Sequence, residues 1–354
     1  MIGHLAYAVG SPCPTFVLDA ARLPREEAAL LGHLTEARRF LASAGGAHVL
    51  KIALVEPSAH PMFDLDYRFV QALPGGDDRF DLRGSCGHSV LSAVVAAGRC
   101  GMLPRLLPGA RIRVRVLNNG DSVVCEVDRV ERDEVQFSVA FVQPGPVPFT
   151  DLLPTGDTRT VLDLDGGPQE VSLVTSANAY AFVDARTLEV PSPAALFAAG
   201  DDLLDRLERI RVAAADRLGW PRGGAFPKIA AIVPDPGGGI AARAVTVPRW
   251  HPTIALTGAV CLGIAVRIPQ TVPWLLAREN GADEQGLTDI ETPGGRTTVT
   301  AVTSAPDAAG NSGALLWASV ARKRVTFQGS FVLAPLSHLQ FEEVAQCLAL
   351  SVAA

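Results

Sequence analysis

The chain has 354 residues, 48% of them hydrophobic and 19% charged, a mean hydropathy of +0.23 and a formal net charge of −6. That length suits two units of about 150 to 200 residues, and the composition leaves little room for extended disorder. No apolar run reaches the roughly 18 to 20 residues that span a bilayer, and no Lys/Arg block interleaved with aromatics offers a nucleic-acid surface.

The start of the chain, Met1 to Pro12, lacks the basic start and long apolar run of a secretion signal, so a cytoplasmic location is expected. Arg25 to Ser43 follows as an amphipathic helix with Leu30, Leu31, Leu34, Phe40 and Leu41 near one face. Lys51 opens a strand-like run, Ile52-Ala53-Leu54-Val55. Gly84-Ser85-Cys86-Gly87-His88-Ser89 then leads into the apolar stretch Val90 to Gly98. Strand patterns come next at Arg111 to Leu117, Val123 to Val130, Val135 to Val142, Thr160 to Leu164 and Val171 to Val174.

The stretch Asp184 to Pro193 reads as a link, giving halves of 1–185 and 186–354. A second amphipathic helix runs from Asp201 to Leu218, with two carboxylates in its first turn. Strand patterns return at Lys228 to Val233, Ala241 to Val247, Thr297 to Val302, Leu315 to Val320 and Gly329 to Leu333. Between them lies a second small-residue lead-in, Leu256-Thr257-Gly258-Ala259-Val260-Cys261, to an apolar helix. A terminal helix capped by Ser337 is expected to pack back on the first half. The two lead-ins look like equivalent positions of an internal repeat, and each apolar helix has the composition of one threaded through a β-structure.

A helix mouth presents unpaired N–H groups and a partial positive charge, so a lead-in of small residues admits a carboxylate close to the backbone. The same field favours a thiolate, which makes a cysteine at such a mouth a usable base and its thiol a usable acid. Cys86 holds this position; the alternative is a buried structural thiol. Lys51 either reaches solvent or is held inside, where a desolvated amine suits proton transfer. His88 stands two residues beyond Cys86, but no orienting acid accompanies them, which argues against a Cys/His nucleophile. His251, just before the second lead-in, is either a hydrogen-bonded structural imidazole or a ligand contact. The six cysteines (Cys13, Cys86, Cys100, Cys125, Cys261, Cys347) have neither disulfide-framework nor zinc spacing and read as thiols, with no metal site and no cofactor expected.

These residues resemble the 2-methylaconitate cis-trans isomerase family, whose fold is that of diaminopimelate epimerase. Lys51-Ile52-Ala53 is similar to the family's Ser-Lys-Val-Ala, Asp64 to Gln71 to its Asp-Val-Asp-Tyr-Leu-Phe-Ala-Gln, and Ser85-Cys86-Gly87-His88 to its Asn-Cys-Gly-Asn. Leu153 to Gly156, Val171 to Asn178, Leu207 to Arg211, Pro227 to Ala230 and Thr257 to Cys261 continue the match in order. The resemblance implies an α+β fold of two pseudo-symmetric halves, each a rolled sheet around a central helix, with the ligand between them. It implies an isomerase that shifts a proton and a C=C bond in a small unsaturated carboxylic acid or related carbonyl compound, without cofactor. Lys51 and Cys86 match the family's proton-transfer pair. Ser85, Gly87, His88, Ser89, Asn118, Asn178, His251, Thr257, Gly258 and Arg322 are the expected substrate contacts. Epimerases of this fold use two facing cysteines; here Cys261 lies a turn further into the second helix, against a two-cysteine racemase.

Departures from the family pattern bear on the substrate. The family's Arg-Gly-Gly-Thr-Ser-Lys-Gly segment is Ala8-Val9-Gly10-Ser11-Pro12-Cys13-Pro14-Thr15 here, so its arginine and lysine are gone. The Asp-Gly-x-Gly-Gly segment is reduced to Ala44 to Ala47, both asparagines around the cysteine are Ser85 and His88, and Arg-Thr-Ala-Arg keeps only Arg322. Fewer cations imply fewer substrate carboxylates or a larger, less polar body. A specialised biosynthetic role fits such a substrate, with a non-catalytic binding or scaffold protein as the competing reading. The expected partner is a small molecule, with no nucleic acid and no membrane, and a homodimer is left open.

Overall fold

The computed structural model describes residues 1–247, 249–279, 286–304 and 313–336. The terminal helix expected from Ser337 lies outside the described residues. The chain first builds β1 (Ile2–Ala8), β2 (Thr15–Asp19), α1 (Glu27–Leu41), β3 (Lys51–Pro57), β4 (Leu65–Ala72), β5 (Phe80–Asp81), α2 (Gly87–Arg99), β6 (Arg111–Val116), β7 (Ser122–Val130) and β8 (Glu134–Pro148). A short β9 (Thr160–Leu162) precedes β10 (Gln169–Ser176), β11 (Asn178–Asp184), α3 (Pro193–Ala198), α4 (Asp201–Arg217), β12 (Lys228–Pro234), β13 (Ile240–Thr246) and β14 (Arg249–Trp250). Then come α5 (Leu256–Ala265), α6 (Val272–Glu279), β15 (Gly286–Glu291), β16 (Thr297–Ser304) and β17 (Ala314–Val332).

The second series repeats the first strand for strand. In the first, β2 and β3 run parallel, β3 and β4 antiparallel, and β4 parallel to β6. In the second, β11, β12, β13 and β15 make the same three pairings. Asp184 to Pro193 lies inside the second series, at the start of the crossover from β11 to β12. Strands β1, β2, β3, β4, β6, β7, β8 and β17 close into an eight-stranded barrel, because β17 pairs with both β8 and β1. The segments Leu315 to Val320 and Gly329 to Leu333, expected as two strands, merge into the single 19-residue β17, which ends at Val332. Bulges near Trp317 and Lys323 bend it, so one strand serves both halves.

Burial follows from what covers each face. Strands β6 and β7 alternate because only one side meets the core, with Ile112, Val114, Val116, Val123, Cys125 and Val127 buried. Strands β3 and β12 are buried on both faces: Ala53 and Val55 share the central core with α2 while Ile52 and Leu54 pack with α1, and Ala230 and Ile232 share that core with α5 while Ile229, Ala231 and Val233 pack with α4. Outer α1 presents Leu30, Leu34, Ala37 and Leu41 inward, and α4 presents Leu203, Leu207, Ile210 and Ala214. Glu26 caps α1, its carboxylate accepting the N–H groups of Ala28 and Ala29. Every residue of α5 is buried, as are Gly87 to Ala97 of α2, and both helices belong to one continuous apolar core. No described helix is long and apolar enough to cross a membrane.

Candidate active site

The mouths of α2 and α5 meet at the centre of the molecule. Cys86 is the N-cap of α2, in extended backbone (φ −140°, ψ 106°), and Ala255 is the N-cap of α5; neither mouth has a side-chain cap. Glycines permit the approach. A Cβ on Gly87 would stand 2.6 Å from the Leu256 side chain, one on Gly258 would strike the Tyr180 hydroxyl, and one on Gly84 the Phe226 ring. The expectation that Gly84 and Gly87 open the backbone to a ligand gains a second meaning: the side chains of Phe226 and Leu256, from the second half, stand where their Cβ atoms would be, so these glycines let the halves close.

Asn178, at the start of β11, ties the two mouths together. Its Oδ1 accepts the Ser85 N–H at 2.8 Å, and its Nδ2 donates to Ser85 O at 2.6 Å and to Thr257 Oγ1 at 2.9 Å. Ser85 and Thr257 are thus held at the centre, 3% and 0% exposed. Lys51 opens β3 and is 4% exposed; its Nζ donates to Ser11 Oγ at 2.8 Å, and that hydroxyl donates to Cys13 O at 2.8 Å. The segment in which this chain has lost the family's arginine and lysine therefore holds the buried lysine. Thr253 joins the same segment to the second half by donating to Gly10 O. Burial pushes the Cys13 thiol up, opposed by the neighbouring Lys51 cation.

Lys51, Cys86, Asn178, Thr257 and His251 all line one small cavity of about 20 Å³, together with Tyr180, Phe226 and Lys228. That volume is about one water-sized sphere, so substrate access requires local rearrangement. A larger cavity, about 490 Å³, shares Asn178 and Phe226 with it and also carries Arg83, Asn118, Asp121 and Trp220. Burial raises the Asp121 carboxyl to about 6 against the hydrogen bond from Asn119.

The His88 and His251 rings stack at 6.0 Å with 20° between their planes. Burial first, then nearby lysines, holds both well below the usual histidine range, so both are neutral at pH 7. His88 Nδ1 has no hydrogen-bond partner among the described residues, in keeping with the reading against a Cys/His nucleophile. Cys261 is fully buried and donates to Val174 O at 3.4 Å; burial drives its thiol far up. The cap position equivalent to Cys86 is Ala255, so the second mouth offers no thiol.

Three expected contacts lie elsewhere. Asn118 has its amide engaged by backbone, donating to Phe69 O and Leu82 O and accepting from the Phe69 N–H, so it braces the strand and loop before Cys86. Ser89 is fully buried against the Tyr67 hydroxyl. Arg322 is exposed, in left-handed backbone (φ 59°) at the β17 bulge. Its neighbour Lys323 turns inward, donates to Thr297 Oγ1 at 2.6 Å and has its pKa lowered by burial to about 8. Sequence reasoning also passes over Lys228 as a site residue. Lys228 opens β12 beside Tyr180, as Lys51 opens β3 beside Thr15, and burial lowers it to about 8.

The model of the PrpF protein family matches residues 38–333. The chain belongs to the PrpF family. Similar members include the 3-methylitaconate isomerase of Eubacterium barkeri, 26% identical over 66% of this chain and 72% of the relative. The 4-oxalomesaconate tautomerase of Pseudomonas putida is 27% identical over 72% of this chain and 75% of its own. Among solved structures, a methylitaconate-delta-isomerase superposes with a TM-score of 0.61 at 21% identity, over 95% of this chain and 97% of that one. A hydroxyproline epimerase from Agrobacterium vitis gives 0.61 at 17% identity, over 94% and 91%. These two structures bear on the PrpF fold alone: an α+β protein of two pseudo-symmetric halves.

Proposed function

We propose that this chain is a cofactor-independent isomerase that moves a proton and a C=C bond within a small unsaturated carboxylic acid or a related carbonyl compound, with Lys51 and Cys86 as the proton-transfer groups. The names of its relatives, 3-methylitaconate isomerase and 4-oxalomesaconate tautomerase, support the reaction class. The observation that carries the assignment of the groups is their convergence. Lys51 from β3 and Cys86 from the mouth of α2 line one small cavity, and both are nine-tenths buried or more.

Chemistry follows from that arrangement. One group takes a proton from the carbon next to the double bond, leaving a dienolate whose charge spreads to the carboxylate or carbonyl oxygen. The other delivers a proton to the far end of the allylic system, so the net change is a shifted double bond with no proton gained or lost. Developing charge lies near the uncapped N–H groups of α2 and α5, among buried side chains, where such donors act most strongly. Ser85 and Thr257, held by Asn178, fix the two mouths at the separation the substrate must fit. Among the described residues lining the cavity the cations are Lys51 and Lys228, and a substrate carrying fewer carboxylates than a tricarboxylate fits this shell. The scattered unpaired thiols, Cys13, Cys86, Cys100, Cys125 and Cys261, suit a reducing, cytoplasmic setting.

Ultraviolet absorbance of conjugated acids gives the test. A panel that includes 3-methylitaconate and 4-oxalomesaconate is incubated with protein dialysed exhaustively against EDTA. Double-bond migration at an unchanged rate is expected. Failure on every unsaturated mono- and dicarboxylate of the panel would favour the non-catalytic binding reading, and loss on chelation that returns with metal would overturn the cofactor-free mechanism.

A further inference from the structure

Lys228 and Lys51 occupy equivalent places in the two halves, but their surroundings differ. Lys51 Nζ is hydrogen-bonded to Ser11. Lys228 is 8% exposed, lies over the Phe226 ring at 4.5 Å, and has no hydrogen bond or ion pair among the described residues. The charged and titratable groups that face it are Lys51 on β3, Cys86 at the mouth of α2, Asp81 on β5 and Arg211 on α4, with Tyr180 and His251 on the cavity wall. Of these, Asp81 already accepts the backbone N–H groups of Arg83 and Ala225, at 3.0 and 2.8 Å, and Arg211 is paired with Glu208. Lys228 therefore has no acceptor of its own among the described residues.

His251 has the same need. Its Nδ1 accepts the Thr253 N–H at 3.2 Å, which places the proton of the neutral ring on Nε2. That Nε2 is buried without a partner among the described residues. Two donors on one wall of one cavity, the buried His251 Nε2 and the Lys228 ammonium, lack an acceptor among the described residues and are complementary to an anionic oxygen. Ala255 and Thr257 bring the uncapped mouth of α5 to the same wall.

We infer that Lys228 and His251 anchor a carboxylate of the substrate at the mouth of α5, presenting its carbon chain to Lys51 and Cys86 on the opposite half. The inference rests on the isomerase reading of the same site. It divides the labour between the halves, with proton transfer on the first and anion recognition on the second. It also specifies the substrate class: an unsaturated acid whose anchored carboxylate lies across the cavity from the reacting carbons. Because burial holds the free Lys228 ammonium to about 8, an arriving carboxylate strengthens its hold on the proton, and binding above that pH takes a proton up.

Titration calorimetry with succinate, a dicarboxylate that cannot isomerise, separates this anchor from turnover. At pH 8.5, in two buffers of different ionisation enthalpy, wild type is expected to bind with net proton uptake. Lys228→Met should bind about 10- to 100-fold more weakly, the span of a lost charged hydrogen bond, and without that uptake. Lys228→Arg, which keeps the cation but not the titration, should recover most of the affinity and none of the uptake. Wild type that binds no succinate, or Lys228→Met that binds it equally well with the same uptake, overturns the inference. If no unsaturated acid is isomerised while succinate binding still depends on Lys228, the anchor stands and the isomerase reading falls.

Discussion

Asn178→Ala probes the joint between the two helix mouths. The side chain makes three buried hydrogen bonds, two to Ser85 and one to Thr257, and is itself 5% exposed. At a net contribution of about 1 kcal/mol each, their loss removes about 3 kcal/mol of stability. The cost falls toward about 2 kcal/mol if a water enters the gap and re-pairs part of the backbone. Function should suffer more than stability implies, because Ser85 immediately precedes Cys86, and a misplacement of about 1 Å at a reacting group can cost about 100-fold in rate. Urea unfolding followed by circular dichroism gives the first quantity, and isomerisation rate at saturating substrate gives the second. A midpoint unchanged from wild type, with an unchanged rate, would refute the view that Asn178 sets the geometry of the site.

Gly87→Ala drives a methyl group into Leu256 and should destabilise by about 1 to 3 kcal/mol; adding Leu256→Ala should cost less than the sum of the single changes in a double-mutant cycle. Cys261→Ala should retain the wild-type isomerisation rate while losing about 1 kcal/mol of stability, whereas loss of activity would return the chemistry to a cysteine pair. Lys228 and Lys323 hold protons less tightly folded than unfolded, so the unfolded chain binds more protons between about pH 8 and 10.5 and stability should climb through that window. Lys228→Met should flatten this rise in unfolding free energy and be more stable than wild type at pH 7. The buried neutral rings of His88 and His251 act with the same sign at lower pH. Stability should fall as pH drops below about 6.5, where the unfolded imidazoles take up protons first, and His88→Phe should reduce that fall in a pH series of melting curves.

Much of the site was legible because its chemistry sits in local patterns. Gly84 to Ser89 before an apolar stretch marks a helix mouth, and Lys51 before Ile52-Ala53-Leu54-Val55 marks a buried strand start. Lys228 carried the same mark: Lys-Ile-Ala occurs at 51–53 and again at 228–230, each leading an apolar run. Only the strand-for-strand repeat shows that the second copy faces the same cavity. Asn118 and Arg322 were harder to place from sequence. Asn118 pairs with Phe69, 49 residues away, and which face Arg322 takes depends on a bulge that exchanges it with Lys323. The glycines carry a second meaning that only the structure shows. Small residues at a helix mouth are equally consistent with a nearby ligand and with a nearby helix, and here Leu256 and Tyr180 fill the space. The bent β17, read from its alternation as two strands, is one because it closes the first barrel and borders the second sheet.

The most direct measurement is solvent proton exchange. Wild type, Lys51→Ala and Cys86→Ala are incubated in deuterated water with an unsaturated acid that the wild type isomerises, and proton NMR follows deuterium at the carbons flanking the double bond. The account predicts deuterium at those carbons with wild type and none above background with either variant, both variants remaining folded by circular dichroism. Equal incorporation by all three proteins would contradict it.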